Sequence, residues 1–545
     1  MELHVTPALT LLREHHLLDH VSNLTDFTAT SVSYDSRKVK KGTLFFCKGN
    51  FKPAYLAAAK ENGAIAYVAE QEYPEGQGLP AIIVNDEQKA MALLGAAFYG
   101  YPQNDLFIIG ITGTKGKTTT AYFADNVLRQ ATQQRTALFS TQDRILGNHP
   151  GDRFKSDLTT PESLDLFHDM RAAVNNGMTH LVMEVSSQAF KKSRVYGLKY
   201  DVGIFLNISP DHIGRNEHPT FADYLHCKEQ LMVNARACII NAESADVTDV
   251  YYAAKATTQP ENIYLFARHN ADVTLPDKQT VDFEYRNDLE DLHESEFELT
   301  ATSDKGQQLH LNHRYLTGVP GDYNEGNAVA AIIASGLAGA TAEDAIDTLD
   351  HVHIKGRMEM LKTKHHGTIY VDYAHNYASL KRLLAFLKRQ NDAGKVTVVL
   401  GATGDKGISR RPGFGKALNE SRADVVILTT DDPGYEDPLK IAHEIDSYID
   451  HNRVGKVAFE MDRQKAIQQA IDLSDNNDIV VLAGKGADPY QKIDGVDTPY
   501  PTDMKVAKSY INEIENKWGL NNENISSNVE LDCTDCHRAV NCLAD

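Results

Sequence analysis

The sequence predicts a multidomain α/β protein, and three observations support this fold class. Short apolar runs alternate with helical patterns along most of the chain, which is typical of parallel sheets flanked by helices. The length of 545 residues exceeds what one hydrophobic core serves, so two to four domains are expected. A turn rich in glycine and lysine, residues 113–118 (GTKGKT), separates an apolar run from a helical pattern. That order indicates a phosphate-binding domain.

Composition and charge restrict the functional classes. A hydrophobic content of 42% and a charged content of 24% are typical of a globular protein in water. The net charge of -20 argues against a general nucleic-acid binder and against a protein of anionic membrane surfaces. The sequence contains no apolar run of membrane-spanning length and no signal-peptide pattern at its start, so we expect a cytoplasmic protein. Three scattered cysteines, Cys47, Cys227 and Cys238, are as expected of reduced thiols.

Residues 1–105 predict a small α/β domain. Its most informative piece is the tripeptide Asp-Ser-Arg at 35–37, for which a polar turn entering a strand is the simpler interpretation. The expected strands are 43–47, 64–68 and 81–84, and the expected helices are 54–62 and 88–99.

Residues 106–352 predict a nucleotide-binding domain. The strand candidate 106–111 precedes the glycine-rich turn, whose backbone N–H groups and following helix can receive an anion that Lys117 neutralises. The common P-loop has a glycine five positions before Gly116, where this chain has Ile111, so the turn is a variant of that pattern. We expect it to bind a nucleoside triphosphate.

Polar side chains follow the next two strand candidates of this domain. The strand at 180–187 carries Glu184 near its end, where a carboxylate is a good candidate ligand for Mg²⁺. The strand at 202–208 delivers Asn207 to the same edge of the sheet. For Lys228, on a predicted helix, a solvated lysine is the simpler interpretation.

The rest of this domain is less informative. Residues 240–315 are polar and strand-like and carry no recognisable motif. A helix is expected over 318–339, where Asn324 and Asn327 can present their amides to one base edge. A helix-capping role for Asn324 explains its position equally well.

Residues 353–518 predict a third α/β domain, and the tail 519–545 is expected to be flexible. Polar clusters follow each strand of the third domain, which indicates a binding face along one sheet edge. The tail contains three cysteines and one histidine in a spacing too cramped for an ordinary zinc site, and incidental cysteines are the simpler interpretation. The expected strands are 368–372, 396–400, 425–428 and 479–482, and the tail residues are Cys533, Cys536, His537 and Cys542.

Taken in order, these motifs resemble the Mur ligase family of ATP-dependent amide-forming enzymes. The resemblance extends to about residue 515 and depends on the whole set of motifs. It implies a three-domain α/β architecture, with a central P-loop-type ATPase domain and a Rossmann-like C-terminal domain. The motifs are 113–119 (GTKGKTT), 184–187 (EVSS), Asn207 with 211–212 (DH), 356–359 (GRME) and 372–375 (DYAH).

The resemblance also implies a role for each domain and for individual residues. Residues 1–105 would bind the UDP end of a UDP-N-acetylmuramoyl dipeptide, 106–352 would bind ATP and Mg²⁺, and 353–518 would bind the incoming amino acid. The implied catalytic residues are Lys117, Glu184, Lys228 and His212. The implied ATP-binding residues are Gly113, Thr114, Lys115, Gly116, Lys117, Thr118, Thr119, Asn207, Asn324, Asn327, Arg357, Asp372 and His375. The implied substrate-binding residues are Ser36, Thr159, Thr160, Ser186, Lys192 and Arg194. Amino-acid recognition would fall to Lys406, Asp431, Asp432, Pro433, Gly434 and Asp488, and the metal ligands would be Thr118, Glu184 and Lys228.

The implied chemistry is activation of a carboxylate by ATP through an acyl phosphate, followed by attack of an amine. Lys228 matches a lysine that the family carries as an N-carbamate, which would make it an anionic ligand of a second Mg²⁺. The family's ligases usually act as monomers, so a monomer is expected, and the implied partners are the UDP-N-acetylmuramoyl dipeptide and L-lysine, with no nucleic acid and no membrane.

The amino acid that is added is the finer question. Members of the family that add meso-diaminopimelate typically have Asp-Asn-Pro-Arg where this chain has 431–434 (DDPG). The missing arginine and the nearby acidic residues favour a distal ammonium, hence L-lysine, with L-ornithine as a shorter variant. Alternatives are a diaminopimelate ligase, another amide ligase of the family, folylpolyglutamate synthetase, or a P-loop NTPase that works as a switch.

Overall fold

The computed structural model shows two compact α/β units, Met1–Ile354 and Lys355–Asp545. None of the helices within the described residues is long and apolar enough to span a membrane. The structure describes residues 1–214, 217–290, 294–391, 393–404, 407–408 and 410–523.

The first unit begins with a five-stranded sheet in the order β2-β7-β6-β5-β4. Strand β2 pairs antiparallel to β7, and the other neighbours are parallel. Every strand and helix that the sequence predicts here is observed within about two residues of its expected ends. The strands are β1 Leu3–His4, β2 Leu18–Ser22, β3 Thr28–Ala29, β4 Ser31–Ser33, β5 Thr43–Phe46, β6 Ala64–Ala69 and β7 Ala81–Val84, and the helices are α1 Val5–Glu14, α2 Pro53–Glu61 and α3 Glu87–Phe98.

A second sheet of the same unit has eleven strands, in the order β11-β10-β9-β12-β8-β13-β14-β15-β16-β17-β18. Seven neighbouring strands from β9 to β16 are parallel, and antiparallel strands extend both edges. The strands are β8 Phe107–Thr112, β9 Thr136–Phe139, β10 Asp143–Ile145, β11 Arg153–Lys155, β12 His180–Glu184, β13 Tyr200–Phe205, β14 Ala235–Asn241, β15 Ile263–Arg268, β16 Phe283–Glu290, β17 Ser295–Ala301 and β18 His313–Thr317. The helices are α4 Lys117–Ala131, α5 Ser163–Asn175, α6 Ser187–Lys191, α7 Phe221–Val233, α8 Val247–Lys255, α9 Asp304–Gln307, α10 Asp322–Leu337 and α11 Ala342–Leu349.

Strand β8 lies between β12 and β13, so the strand order reverses at the glycine-rich loop that follows β8. Ligands of open parallel sheets bind at such a switch point, beyond the carboxyl ends of the strands. The sequence indicates only strand-like structure over residues 240–315, and this expectation is incomplete because helix α8 lies within that segment. Val247, Val250, Tyr251 and Ala254 are its buried residues, a helical spacing that the surrounding polar residues obscured.

The second unit contains a six-stranded sheet in the order β19-β20-β24-β21-β22-β23, parallel except for the pairing of β19 with β20. The predicted strands are confirmed, whereas β19 and β23 were missed because both are only partly buried. Helix α16 continues to residue 523, and the flexible tail expected from residue 519 stays a prediction. The tail cysteines lie outside the described residues. The strands are β19 Glu359–Leu361, β20 Thr368–Asp372, β21 Val396–Leu400, β22 Val425–Leu428, β23 Lys456–Phe459, β24 Ile479–Ala483, β25 Tyr490–Ile493 and β26 Val496–Pro499, and the helices are α12 Tyr377–Arg389, α13 Arg410–Ser421, α14 Pro438–Asp446, α15 Arg463–Asp472 and α16 Asp503–Glu523.

Candidate active site

The glycine-rich loop connects β8 to α4, which begins at Lys117. Gly116 has a φ of 89°, a left-handed conformation that glycine adopts without strain. A Cβ atom at Gly116 would lie 2.3 Å from Oδ1 of Asn327, so the loop and α10 approach each other too closely for a side chain. Nζ of Lys117 donates a hydrogen bond of 2.8 Å to the carbonyl oxygen of Gly113. The loop therefore leads directly into the N-terminus of α4, which is the arrangement expected of a phosphate-binding loop.

Asn207 supports the backbone of this loop with both ends of its amide. Its Oδ1 accepts a hydrogen bond from the backbone N–H of Lys115 at 2.9 Å, and its Nδ2 donates to the carbonyl oxygen of Lys115 at 3.0 Å. Nζ of Lys115 in turn lies 3.5 Å from the carboxylate of Asp211. These contacts place Asn207 beside the loop as predicted, where it acts on loop geometry.

Lys228 is buried, with 2% of its surface exposed, so its interpretation as a solvated helix lysine is wrong. Its Nζ donates a 2.8 Å hydrogen bond to the carbonyl oxygen of Gly113, the same oxygen that Lys117 contacts. Burial, followed by the neighbouring charge of Lys117, lowers the pKa of Lys228 well below its ordinary value. The position therefore favours a neutral, nucleophilic amine.

Glu184 is buried at the end of β12, and Thr141 holds its carboxylate. The backbone N–H of Thr141 donates to Oε1 at 2.7 Å, and its hydroxyl donates to Oε2 at 2.9 Å. The hydroxyl oxygens of Thr141 and Thr159 lie 3.1 Å apart. Sequence reasoning missed Thr141, although Thr141 follows strand β9, which lies beside β12. A polar residue close to the end of a strand was the signal that identified other residues of the site.

Two oxygen donors in this region fit a magnesium ion. Glu184 offers a carboxylate with a fixed orientation, and Thr118 offers a hydroxyl from the first turn of α4. Carboxylate, hydroxyl and water oxygens are the ligands that this hard cation prefers. A carbamate on Lys228 would add a second anionic group of the same kind.

Three of the predicted substrate residues, Thr160, Ser186 and Arg194, lie close together in the first unit. The hydroxyl of Thr160 donates to the carbonyl oxygen of Glu184 at 3.0 Å and accepts from the backbone N–H of Ser186 at 3.0 Å. Nη1 of Arg194 donates to the carbonyl oxygen of Thr160 at 3.3 Å. Lys192 is exposed just after α6. The structure thus joins Thr160, Ser186 and Arg194 into one wall next to Glu184.

Glu162 and Lys48 extend this wall toward the five-stranded sheet, and sequence reasoning missed both. The carboxylate of Glu162 lies 2.8 Å from Nη2 of Arg194 and 2.6 Å from Nζ of Lys48. Burial alone would raise the pKa of Glu162, but the charges of Arg194 and Lys48 hold it below its ordinary value. A chain of three charges therefore connects the end of β5 to the substrate wall. Ser36 lies in the same sheet region, where its carbonyl oxygen accepts from Nδ2 of Asn62 at 3.0 Å.

The two predicted asparagines of α10 contact each other beside the glycine-rich loop. Nδ2 of Asn327 donates to Oδ1 of Asn324 at 3.2 Å, and Nδ2 of Asn324 donates to the carbonyl oxygen of Pro320 at 2.7 Å. Asn324 therefore fastens the turn before the helix rather than capping its N–H groups. His212, which lies in the loop after β13, is 45% exposed, and its Nδ1 is 2.9 Å from the carboxylate of Glu217.

The three predicted ATP-binding residues of the second unit cluster at the end of β20. Oδ2 of Asp372 accepts a hydrogen bond from the backbone N–H of Met358 at 2.9 Å. The guanidinium of Arg357 lies 5.0 Å from the ring centre of Tyr373, and Nδ1 of His375 lies 2.8 Å from the carbonyl oxygen of Tyr373. These contacts bring Arg357, Asp372 and His375 to one edge of the second sheet.

The predicted amino-acid recognition loop contains a buried cation that the sequence interpretation overlooked. Nζ of Lys485 lies 3.4 Å from Oδ1 of Asp431 and 2.7 Å from Oδ1 of Asp432. Although burial opposes it, the charges of the two aspartates raise the pKa of Lys485, so it stays charged. The acidic pocket expected here is thus partly neutralised, and Asp488, which accepts from the hydroxyl of Tyr373 at 3.2 Å, contributes negative charge from the neighbouring loop. Lys406 lies outside the described residues.

Pro433 and Gly434 shape this loop. The carbonyl oxygen of Pro433 would lie 1.8 Å from a Cβ atom at Gly404, so the two loops are in close backbone contact. Gly434 has a φ of 61°, and its N–H donates to the carbonyl oxygen of Lys492 at 2.9 Å. The loop is therefore fixed against both the 401–404 segment and the β25–β26 hairpin.

Comparison with known proteins gives a consistent result along the chain. Residues 111–335 match the Mur ligase middle domain, and residues 356–486 match the glutamate ligase domain of Mur ligases. A UDP-N-acetylmuramyl-tripeptide synthetase of Limosilactobacillus reuteri is 80% identical over 515 residues, which is 94% of this chain and 100% of that protein. The UDP-N-acetylmuramoyl-L-alanyl-D-glutamate--L-lysine ligase of Enterococcus faecalis is 48% identical, over 89% of this chain and 92% of the relative. A solved UDP-N-acetylmuramoyl-L-alanyl-D-glutamate--2,6-diaminopimelate ligase superposes with a TM-score of 0.60 at 26% identity, over 89% of this chain and 95% of that one.

Proposed function

The chain belongs to the Mur ligase family, and we propose that it adds L-lysine to UDP-N-acetylmuramoyl-L-alanyl-D-glutamate. It is an ATP-dependent ligase that forms ADP, and its reaction is a step in peptidoglycan precursor synthesis. ATP and Mg²⁺ are its cofactors, and the nucleotide-linked substrate places the reaction in the cytoplasm. The observation that carries the proposal is the convergence of Lys117 and Lys228 on one carbonyl oxygen of the phosphate loop, beside the substrate wall.

Each part of the chain has a role in this proposal. Residues 1–105 bind the UDP end of the substrate, 106–352 bind ATP and the muramoyl dipeptide, and 353–518 bind the incoming amino acid. The chain of charges from Lys48 through Glu162 to Arg194 supports the first assignment, because it links the end of β5 to the substrate wall.

The reaction has two steps. A carboxylate oxygen of the D-glutamyl residue attacks the γ-phosphorus of ATP, the bond to the β–γ bridging oxygen breaks, and ADP leaves. The amine of the amino acid then attacks the acyl carbon, the bond to the phosphate oxygen breaks, and the amine loses a proton. Lys117 stabilises the charge of the transferring phosphoryl group, and the substrate wall orients the carboxylate. Mg²⁺ supplies further charge stabilisation when bound near Thr118 and Glu184.

Lys228 contributes to this chemistry as an N-carbamate. Burial and the charge of Lys117 lower the pKa of Lys228, which favours the neutral amine that attacks CO₂; a C–N bond forms, one C–O π bond opens, the nitrogen gives up a proton to water, and the product is an anion. The carbamate would place a negative charge beside the ammonium of Lys117 and would be a ligand for a second Mg²⁺.

The preference for L-lysine rests on the loop of Asp431 to Gly434 and on Asp488. No arginine lies in the 431–434 segment, so the cation that would bind the distal carboxylate of diaminopimelate is missing there. Lys485 compensates only part of the negative charge of Asp431 and Asp432, and Asp488 adds to what remains. A distal ammonium is the complementary group.

Phosphate release tests the proposal when the enzyme is supplied with ATP, Mg²⁺ and the UDP-muramoyl dipeptide. L-Lysine, meso-diaminopimelate and L-ornithine are offered one at a time. Turnover with L-lysine at least tenfold above the others supports the proposal. Turnover with diaminopimelate but not with lysine contradicts the assignment of the amino acid, and phosphate release that needs no amino acid contradicts the ligase activity.

A further inference from the structure

A buried imidazole connects two segments of the first unit that carry expected metal ligands. His218 has no exposed surface, and its Nε2 lies 2.8 Å from the hydroxyl of Ser187. Its Nδ1 lies 2.6 Å from the carboxylate of Asp223. No such Ser-His-Asp row stands out in the sequence. Ser187 is only 5% exposed, so these three hydrogen-bonded side chains support the structure from inside and do not form a nucleophilic triad.

Each end of the row lies close to a catalytic candidate. Ser187 opens α6 three residues after Glu184, and Asp223 lies in the first turn of α7, five residues before Lys228. A second bond joins the same helices, because Nζ of Lys191 on α6 lies 2.6 Å from Asp223.

The backbone and ring of His218 make further contacts with the site. Its N–H donates to the carbonyl oxygen of His212 at 3.0 Å. Its ring packs edge-on against Tyr224, with ring centres 5.2 Å apart. Tyr224 in turn lies 4.8 Å from Nζ of Lys228 and 3.1 Å, through its hydroxyl, from the hydroxyl of Thr114. His218 thus contacts the start of α6, the loop after β13 that carries His212, and helix α7, which carries Lys228.

A metal ion is a less favourable occupant of this cluster. The ligand atoms of His218, Asp223 and Cys227 lie within 4.8 Å of one another. The carboxylate of Asp223 is already paired with Lys191, and burial raises the pKa of the Cys227 thiol, which opposes the thiolate that a metal needs. The hydrogen-bonded row accounts for these contacts without an ion.

We propose that His218 is a positioning residue that fixes the separation between Glu184 and Lys228, and through it the affinity of the active site for Mg²⁺. This inference rests on the proposed function, because it assumes that both residues bind the metal. Residues that orient metal ligands through hydrogen bonds typically change metal affinity about 10- to 100-fold when they are removed. Loss of the row lets the segment 184–187 and helix α7 move relative to each other, so Glu184 and Lys228 are no longer held at the separation that metal binding requires.

Four variants test this role. His218→Gln can keep a contact in the direction of Ser187, and His218→Asn can keep one in the direction of Asp223. Ser187→Ala removes a single hydrogen bond without touching the ring. The matched control is His226→Gln, since His226 is exposed on the same helix α7.

Two measurements are made on each full-length variant. The first is the Mg²⁺ concentration that gives half-maximal phosphate release, together with the KM for the UDP-muramoyl dipeptide. The second needs no turnover: Mn²⁺ binding to the ADP-loaded enzyme, followed by electron paramagnetic resonance. We expect both metal affinities to weaken about 10- to 100-fold in the His218 variants, with a smaller effect in Ser187→Ala and none in His226→Gln. The KM for the dipeptide should change less than threefold.

The outcomes separate this inference from the proposed function. If the wild-type enzyme binds Mn²⁺ and the variants bind it equally well, the role of His218 is overturned but the proposed function is not. A uniform rise in every KM together with a fall in Tm indicates general structural damage and also overturns it. If the His218 variants do not fold, an unchanged Mn²⁺ affinity in Ser187→Ala overturns it. A wild-type enzyme without any Mg²⁺ requirement overturns the proposed function, and this inference with it.

Discussion

Replacing Lys228 with alanine should abolish ligation while ATP still binds. Nζ of Lys228 and Nζ of Lys117 each lie 2.8 Å from the carbonyl oxygen of Gly113. Two amines that contact the same oxygen lie within about 6 Å of each other. At that distance two positive charges repel by about 3 kcal/mol at an effective dielectric constant near 20. Burial, together with this repulsion, lowers the pKa of Lys228 well below its ordinary value, which favours the neutral amine that can take up CO₂.

The expected loss of activity follows from the charge that the carbamate supplies. A ligand that holds Mg²⁺ against a transferring phosphoryl group contributes several kcal/mol in the transition state. At about 1.4 kcal/mol for each factor of ten, Lys228→Ala should lower kcat about 10³-fold. ATP affinity should change little, because Lys117 and the loop remain in place.

Three assays check this prediction. Phosphate release gives kcat, calorimetric titration gives the ATP affinity, and ¹³C NMR after addition of ¹³C-bicarbonate detects the carbamate. Lys255→Ala is the control, since Lys255 is an exposed lysine on α8 that pairs with Asp277. Near-normal kcat in Lys228→Ala, or a wild-type enzyme without a carbamate signal under turnover conditions, would refute the reasoning.

Three other substitutions test the site and its surroundings. Gly116→Ala should reduce ATP affinity at least tenfold in a calorimetric titration, because the new Cβ would lie 2.3 Å from Oδ1 of Asn327. Thr141→Val should raise the half-saturating Mg²⁺ concentration about tenfold, because Glu184 loses a 2.9 Å hydrogen bond that orients its carboxylate. Glu87→Gln should change the pH dependence of Tm. Burial raises the pKa of Glu87 from 4.5 to about 8, so between these pH values the folded protein keeps a proton that the unfolded chain releases. Wild-type stability should therefore fall between about pH 5 and pH 8, by at most about 5 kcal/mol, and the variant should lack this fall.

Each of these predictions has a control that can contradict it. Gly177 has a similar φ of 84°, but the methyl group added by Gly177→Ala would lie in open space. Equal losses of ATP affinity in Gly116→Ala and Gly177→Ala would therefore exclude the steric explanation. Thr141→Ser keeps the hydroxyl and should behave as wild type. An identical decline of Tm with pH in wild type and in Glu87→Gln would show that Glu87 is not the titrating group.

The parts of the fold that the sequence predicts well are those buried on both faces. Strands β20, β21 and β22 match the expected ranges residue by residue, because a strand covered on both sides is a continuous apolar run. Strands β19 and β23 are partly exposed, so polar residues interrupt their pattern and no strand is predicted. Helix α8 was hidden for a similar reason, since only four of its residues face the core.

The candidate site was predictable where strand order alone decides position. Glu184 ends β12 and Asn207 follows β13, the two parallel strands on either side of β8, and both lie beside the glycine-rich loop as expected. The burial of Lys228 was not predictable, because it depends on packing of α7 against a loop more than one hundred residues earlier in the chain. The charge of Lys485 was overlooked for a similar reason: its partners Asp431 and Asp432 are distant in sequence and follow β22, which is separated from β24 by one strand of the sheet.

The measurement that tests the central claim most directly follows oxygen from substrate to phosphate. The enzyme receives UDP-muramoyl dipeptide whose D-glutamyl side-chain carboxylate is labelled with ¹⁸O, together with ATP, Mg²⁺ and L-lysine. Activation through an acyl phosphate predicts that each inorganic phosphate released carries one ¹⁸O atom and that the UDP product gains the mass of one lysine residue. Unlabelled phosphate without a heavier UDP product would contradict the assignment and identify the protein as a nucleotide hydrolase.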